Sequence, residues 1–258
     1  MPDSLSPDQR RARILHKLTE NDRVIARDLA EEFGTSEDAI RRDLRDLAAA
    51  GQCKRIYGGA LALSPAQGRF AERVDTYLAA KNALARAALP LIESGQTLFI
   101  DSGSTNLMLA DILPGDLALT VVTNSVSIAT TLFRRPGISL VLIGGHVDPD
   151  IDGAVGAQAI DQIRLFRPDL SIIGVCALDP SYGAAAFDPR DADFKRAAVG
   201  SANRVAMLST AEKLGTTAPH RIMPVKSIDH LIVEYGSPGD ICAAFAAQGT
   251  TIITARPS

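Results

Sequence analysis

The 258-residue chain contains no tryptophan and only three cysteines, Cys53, Cys176 and Cys242. Thiols so few and so far apart exclude a disulfide framework and the paired spacing of a zinc site. Long apolar runs are also missing. None reaches the roughly 18 residues of a membrane-span candidate, and the opening MPDSLSPDQRR lacks the apolar stretch of a secretory leader. A cytoplasmic protein without membrane contact is expected. Charge of one sign is scarce too: the net charge is −3 at pH 7. No global basic field draws the chain to nucleic acid, so DNA binding must come from a local patch. What is present is an ordinary globular composition, 46% hydrophobic and 22% charged, enough for one small and one medium domain.

The first 63 residues are dense in charge of both signs and read as a helical unit. A linker follows over 64–75, marked by Ser64, Pro65 and Gly68. In the first unit a helix runs from Asp8 to about Leu18, anchored by Ile14, Leu15 and Leu18. A second runs from Ala26 to Phe33 and stops at Gly34, a residue suited to the positive φ of a helix C-terminus. Thr35 completes the turn and Ser36 stands at the N-cap of a third helix, which begins with Glu37 and Asp38 and ends at Gly51. At about 100° per residue, Ile40, Leu44 and Leu47 form an inward stripe, with Arg41, Arg42 and Arg45 on the opposite side and Asp43 and Asp46 on a flank. The following CKRIYGGALAL reads as a β-hairpin that carries Lys54, Arg55 and Tyr57. An arginine-rich helix face is by itself usually just solvated. The short turn, the cap, the stripe and the hairpin together point to a winged helix-turn-helix, with the third helix in the major groove of double-stranded operator DNA.

From residue 76 to 258 the texture changes. The β-prone runs TLFI, LALTVV, ISLVLI, LSIIGV, VAMLS, HLIVE and TTIIT alternate with helical patterns, predicting an α/β domain with a parallel or mixed sheet covered on both faces. Three polar turns follow the first three strands: Asp101-Ser102-Gly103-Ser104-Thr105, Thr123-Asn124-Ser125 and Gly144-Gly145. Any one is an ordinary connector. Three in succession suit a phosphate cradle at the carboxyl ends of strands. Lys195 and Lys213 are its candidate cations, although either alone reads better as a solvated surface lysine. Residues 180–189 read as a mobile loop near the ligand. Cys176 reads as a small buried residue, and His16, His146, His220 and His230 show no metal spacing. No catalytic or metal constellation emerges and no cofactor is expected. Asp101 suits either a general base or a hydrogen bond to a sugar hydroxyl, so an isomerase-like enzyme with a DNA-binding appendage is the alternative.

The run AIRRDLRDLAAAGQCKRIYGGA, preceded by RVIARDLAEEFGTSED, resembles the DNA-binding signature of the DeoR/GlpR family of bacterial repressors, with its IRRDL helix and R-x-x-GGA wing. The region from about Ser94 to Glu234 is similar to the family's sensor domain, which resembles ribose-5-phosphate isomerase. The family's D-x-G-[ST]-T turn appears at Asp101–Thr105, its T-N turn at Thr123-Asn124 and its glycine pair at Gly144-Gly145, with a later glycine at Gly156. E-A-x-x-K appears as Asp191-Ala192-Asp193-Phe194-Lys195. D-x-S-K-x-G survives only as Lys213 and Gly215, and a further family glycine is replaced around Cys176-Ala177. The resemblance implies a repressor controlled by a phosphorylated sugar or related effector. One winged unit covers only a small DNA site, so a homo-oligomer assembled through the larger domain is expected, and with no catalytic constellation in the sequence an enzyme is not.

Overall fold

The computed structural model describes residues 5–21, 23–50, 52–62 and 69–256. Gly51 and the linker residues Ser64, Pro65 and Gly68 lie outside them.

The N-terminal unit consists of α1 (Pro7–Asn21), β1 (Arg23–Ile25), α2 (Ala26–Glu32), α3 (Glu37–Ala49), β2 (Lys54–Ile56) and β3 (Gly59–Leu61). Ser36 Oγ accepts the backbone N–H of Ala39 at the start of α3, a cap worth about 1 kcal/mol. Gly34 sits at φ 60°, a conformation that side chains disfavour. The stripe Ile40, Leu44 and Leu47 packs on Ile14, Leu18 and Leu29. β2 and β3 form the expected hairpin, and β1, which the sequence reading missed, adds to β3 as a third strand in the order β1-β3-β2. Asp43 is not on an exposed flank. It is buried against Arg10, whose Nε and Nη2 reach its two oxygens at 2.7 and 3.3 Å.

The connector forms α4 (Phe70–Val74) and leads into α5 (Leu78–Ala88). The larger unit then alternates strand and helix: β4 (Thr97–Ile100), α6 (Ser104–Asp111), β5 (Leu119–Thr123), α7 (Val126–Leu132) and β6 (Ile138–Leu142). A small hairpin, β7 (His146–Asp148) and β8 (Gly153–Val155), precedes α8 (Ala157–Ile163) and β9 (Leu170–Ile172). Next come β10 (Ala177–Asp179), β11 (Gly183–Ala186), α9 (Pro189–Ser201) and β12 (Val205–Ser209). The chain closes with β13 (His220–Met223), β14 (His230–Val233), α10 (Gly239–Ala246) and β15 (Thr251–Thr254).

Seven strands, all in parallel pairs, make one sheet in the order β15-β14-β12-β9-β4-β5-β6. All seven β-prone runs of the sequence lie in it. Alternate residues serve opposite faces. Phe99, Val122, Met207 and Leu231 join one core with Phe194 of α9 and Phe245 of α10. Leu98, Ile100, Val121 and Ile232 join the other with Leu84 of α5, Leu109 of α6 and Ile128 of α7. The chain winds outward from β4 to β6, then crosses back to β9 on the other side of β4. The ends of β4 and β9 therefore flank the point where winding reverses, the place such sheets leave a crevice. The segment 180–189 is no mobile loop: its middle is β11, paired between β10 and β13 in a second, antiparallel sheet, and its end opens α9.

Candidate functional site

A cavity of about 550 Å³ opens at that reversal, bounded by the turn after β4, the turn after β9, the start of α9 and the connector helix α4. The two strand ends are stitched together by the Gly174 N–H, which donates to Asp101 Oδ2 at 2.8 Å. Gly174 must lack a side chain, because a Cβ there would stand 2.4 Å from the Ser102 carbonyl oxygen. Ser102, Gly103, Ser104 and Thr105 line the cavity at the amino end of α6. Ser102 Oγ and Thr105 Oγ1 are buried without a hydrogen-bond partner. Buried hydroxyls left unpaired cost free energy unless something else meets them.

Lys195 and Lys213 both reach this cavity. The Lys195 ammonium donates to both oxygens of Asp191 at 2.6 Å and lies 3.3 Å from Asp101 Oδ2. Burial disfavours its charge, but the two carboxylates outweigh burial and hold it protonated above the ordinary lysine range. Asp101, fully buried behind the cavity, is pushed up to about 6 by burial, against the pull of Lys195. Asp191 takes the place of the longer acid in the resembled motif and still closes this ion pair, across one turn of α9. Lys213 follows β12, and its ammonium has no hydrogen-bond or ion-pair partner among the described residues. Burial lowers its pKa, opposed by Cys176 and Glu212, with Arg73 and Lys195 adding to the lowering.

Four sequence candidates, Thr123, Asn124, Gly144 and Gly145, sit differently. Thr123 Oγ1 donates to the Ile100 carbonyl at 2.6 Å, and Asn124 is spent on the Ser102 N–H and the Ala154 carbonyl. Both are buried supports behind the Ser102 turn and do not line the cavity. Gly144 is bound in both directions by the Gln162 amide of α8, so Gly144-Gly145 also lies outside the cavity wall. Cys176, read from sequence as buried, is half-buried and lines the cavity.

The sequence reading missed the rim. Arg190 bridges Asp148 and Asp188 at 2.6 and 2.7 Å, and Arg69 pairs with Asp150 at 3.3 Å. Arg69 and Arg73 come from the segment read only as linker. The N-cap pattern Asp188-Pro189 at the start of α9 was a usable signal for that side. Nothing local announces the other.

On the DNA-binding unit, Arg42 and Arg45 project from α3, exposed and without an ion pair among the described residues. Arg41 is engaged by Glu37 at 2.7 Å. Thr35, Ser36 and Asp38 lie at the turn and first turn of α3, and Arg55 and Tyr57 are exposed on the wing. Lys54 points elsewhere: its ammonium donates to the Pro219 carbonyl at 3.3 Å and lies 5.3 Å from the Tyr182 ring centroid, both in the larger unit.

A winged helix-turn-helix joined to an α/β domain with a cation-lined cavity defines a two-domain, ligand-responsive DNA-binding regulator. Comparison with known proteins gives the family. The DeoR C terminal sensor domain model matches residues 77–235, and the DeoR-like helix-turn-helix domain model matches residues 10–66. The chain belongs to the DeoR family. It is 29% identical over 231 residues to the glycerol-3-phosphate regulon repressor of Escherichia coli strain K12, covering 89% of this chain and 92% of that one. It is 30% identical over 233 residues to the HTH-type transcriptional regulator GolR of Listeria innocua, covering 88% and 91%. Among solved structures, ribose 5-phosphate isomerase A of Methanocaldococcus jannaschii is similar at 16% identity with a TM-score of 0.39, over 52% of this chain and 53% of that one. No helix of the described residues is long and apolar enough to cross a membrane.

Proposed function

We propose that the protein is a sequence-specific transcriptional repressor whose hold on operator DNA is controlled by a phosphorylated sugar or related metabolite in the cavity at the β4–β9 reversal. One observation carries this reading: the side chain of Lys213, Ser102 Oγ and Thr105 Oγ1 are buried around one cavity, and none of the three has a hydrogen-bond or ion-pair partner among the described residues. Backbone N–H groups at a helix start, hydroxyls and a desolvated ammonium are the groups that receive a phosphoryl oxygen. The relative named for glycerol-3-phosphate supports a phosphorylated polyol or sugar as the chemical class.

Lys195 and Asp191 then face the ligand's hydroxyl-bearing part. Lys195 is held charged by two carboxylates and has no lone pair to act as a base, which favours binding over turnover. A single winged unit covers only a short stretch of DNA, so useful specificity calls for two or more units spaced by helical turns. We place that assembly in a homo-oligomer formed through the larger domain, working in the cytoplasm where the operator is. Effector binding weakens DNA binding by favouring a different arrangement of the two domains.

The test is a thermal-shift screen against phosphorylated sugars, their unphosphorylated counterparts and inorganic phosphate, since a ligand of the native state raises the melting temperature. Stabilisation by one phosphosugar, lost in Lys213→Ala, and release of DNA by the same compound are expected. No response to any phosphorylated compound would refute the reading.

A further inference from the structure

The cavity's lining carries five cations and five carboxylates, counting Glu72, which accepts the Arg69 N–H, but not every cation is held in an ion pair, and one of those that are not lies on the connector. Arg69 is paired with Asp150, Arg190 with Asp148 and Asp188, and Lys195 with Asp191 and Asp101. Two lining cations are left without a carboxylate partner among the described residues: Lys213 and Arg73. Arg73 lies on α4, between the two matched domains (residues 10–66 and 77–235). Its Nε is buried with no hydrogen-bond partner, and its guanidinium lies 5.9 Å from the Phe70 ring centroid. Two lining cations held in no ion pair, Lys213 buried and Arg73 half-buried, suit the charge of −1.5 to −2 that a phosphoryl group carries near neutrality.

The connector is held in place to present this side chain. Phe70 N–H donates to the Asp150 carbonyl at 2.8 Å, and Lys81 of α5 donates to the Arg73 carbonyl. α4 packs beside α6, whose amino end carries Ser104 and Thr105. The positive charges crowd one another. Lys81 is lowered to about 8 by burial, with Lys213 and Arg73 adding to the effect. An anion between them would relieve the repulsion.

We propose that Arg73, on the connector helix between the two domains, is a binding residue for the effector's phosphoryl group and completes the anion end of the cavity together with Lys213. The inference rests on the proposed phosphorylated effector, and it adds a route for the signal. A ligand held by α4 on one side and by the α6 turn on the other binds only the arrangement in which the connector is docked. It therefore has the differential affinity that a change in the attached DNA-binding unit requires.

Inorganic phosphate is the probe, titrated calorimetrically into the full chain at constant ionic strength, with Arg73→Ala, Arg73→Lys, Lys213→Ala and, as a control, Arg86→Ala on the exposed side of α5. The expected result is phosphate binding by the wild type, weakened about tenfold or more by Arg73→Ala. Arg73→Lys should recover part of the loss and Arg86→Ala should bind like the wild type. Wild-type affinity in Arg73→Ala together with a loss in Lys213→Ala overturns the role of Arg73 and leaves the cavity reading standing. A wild type that binds no phosphate overturns both. Should Arg73→Ala fail to fold, amide exchange of the wild type decides: bound phosphate is expected to slow exchange across residues 70–76, and unchanged exchange at saturating phosphate overturns the proposal.

Discussion

The Gly174 amide donates to Asp101 Oδ2 at 2.8 Å, joining the carboxyl ends of the two strands between which the sheet reverses its winding. The same carboxylate oxygen lies 3.3 Å from Lys195, so one short contact sets both the width of the crevice and the position of its cation. Gly174→Ala would drive a methyl into the Ser102 carbonyl and force the strand ends apart. Overpacking of this kind costs about 1–3 kcal/mol. The midpoint of urea unfolding should fall accordingly, and the thermal response to phosphosugars should disappear. Unchanged stability with an intact ligand response would mean the turn relaxes freely.

Lys81 gives a pH signature. Burial, with Lys213 and Arg73 nearby, lowers it from 10.5 to about 8 in the folded chain. Between those values the unfolded chain binds more protons than the folded one, so stability rises as pH rises from about 8 to about 10.5 and is lost as pH falls back through 8. Lys213, lowered chiefly by its own burial, adds in the same direction. The gain attributable to Lys81 is up to about 3 kcal/mol. Urea unfolding at a series of pH values should show a flatter profile for Lys81→Met than for wild type. Parallel profiles would contradict the assignment.

The main sheet was legible because strands buried on both faces are written as unbroken apolar runs, such as TLFI and VAMLS. The antiparallel sheet of β10, β11 and β13 was not. Gly183–Ala186 reads GAAA, small residues with no strand preference, and its strand is set by pairing with β10 on one side and β13 on the other, which local sequence does not encode. At the site, sequence located the Asp101–Thr105 turn and both lysines. It could not tell a lining hydroxyl from a supporting one: Thr123 and Asn124 turn their polar atoms to Ile100, Ser102 and Ala154. Nor could it bring Arg73, 28 residues before Asp101 in the chain, to the cavity, because that proximity depends on how α4 packs against α6.

For DNA reading the arginines of α3 are not equivalent. Arg42 and Arg45 are exposed and unpaired among the described residues, while Arg41 must first give up Glu37. Alanine at Arg42 or Arg45 should cost about 1–3 kcal/mol of specific affinity, and alanine at Arg41 less. DNA recovered from a random pool by the wild-type protein, then titrated with each variant, provides the measurement. A larger loss at Arg41 than at both others would reverse the ranking.

The two basic residues of the wing should likewise separate. Arg55 is exposed beside Tyr57 at the hairpin tip, whereas Lys54 is turned away, donating to Pro219 and standing over Tyr182. Arg221 lies over the same ring at 5.6 Å, so Tyr182 is shared by a wing cation and a cation of the larger domain. A phosphate contact made by Arg55 contributes close to one unit to the slope of log affinity against log salt. Arg55→Ala should lower that slope by about one, and Lys54→Ala should leave it unchanged. Lys54→Ala should act instead on the joint between the domains, altering how far a saturating phosphosugar weakens DNA binding, and Tyr182→Ala should reproduce that effect. A reduced salt slope in Lys54→Ala would mean that the lysine leaves Pro219 for the DNA backbone when the operator binds.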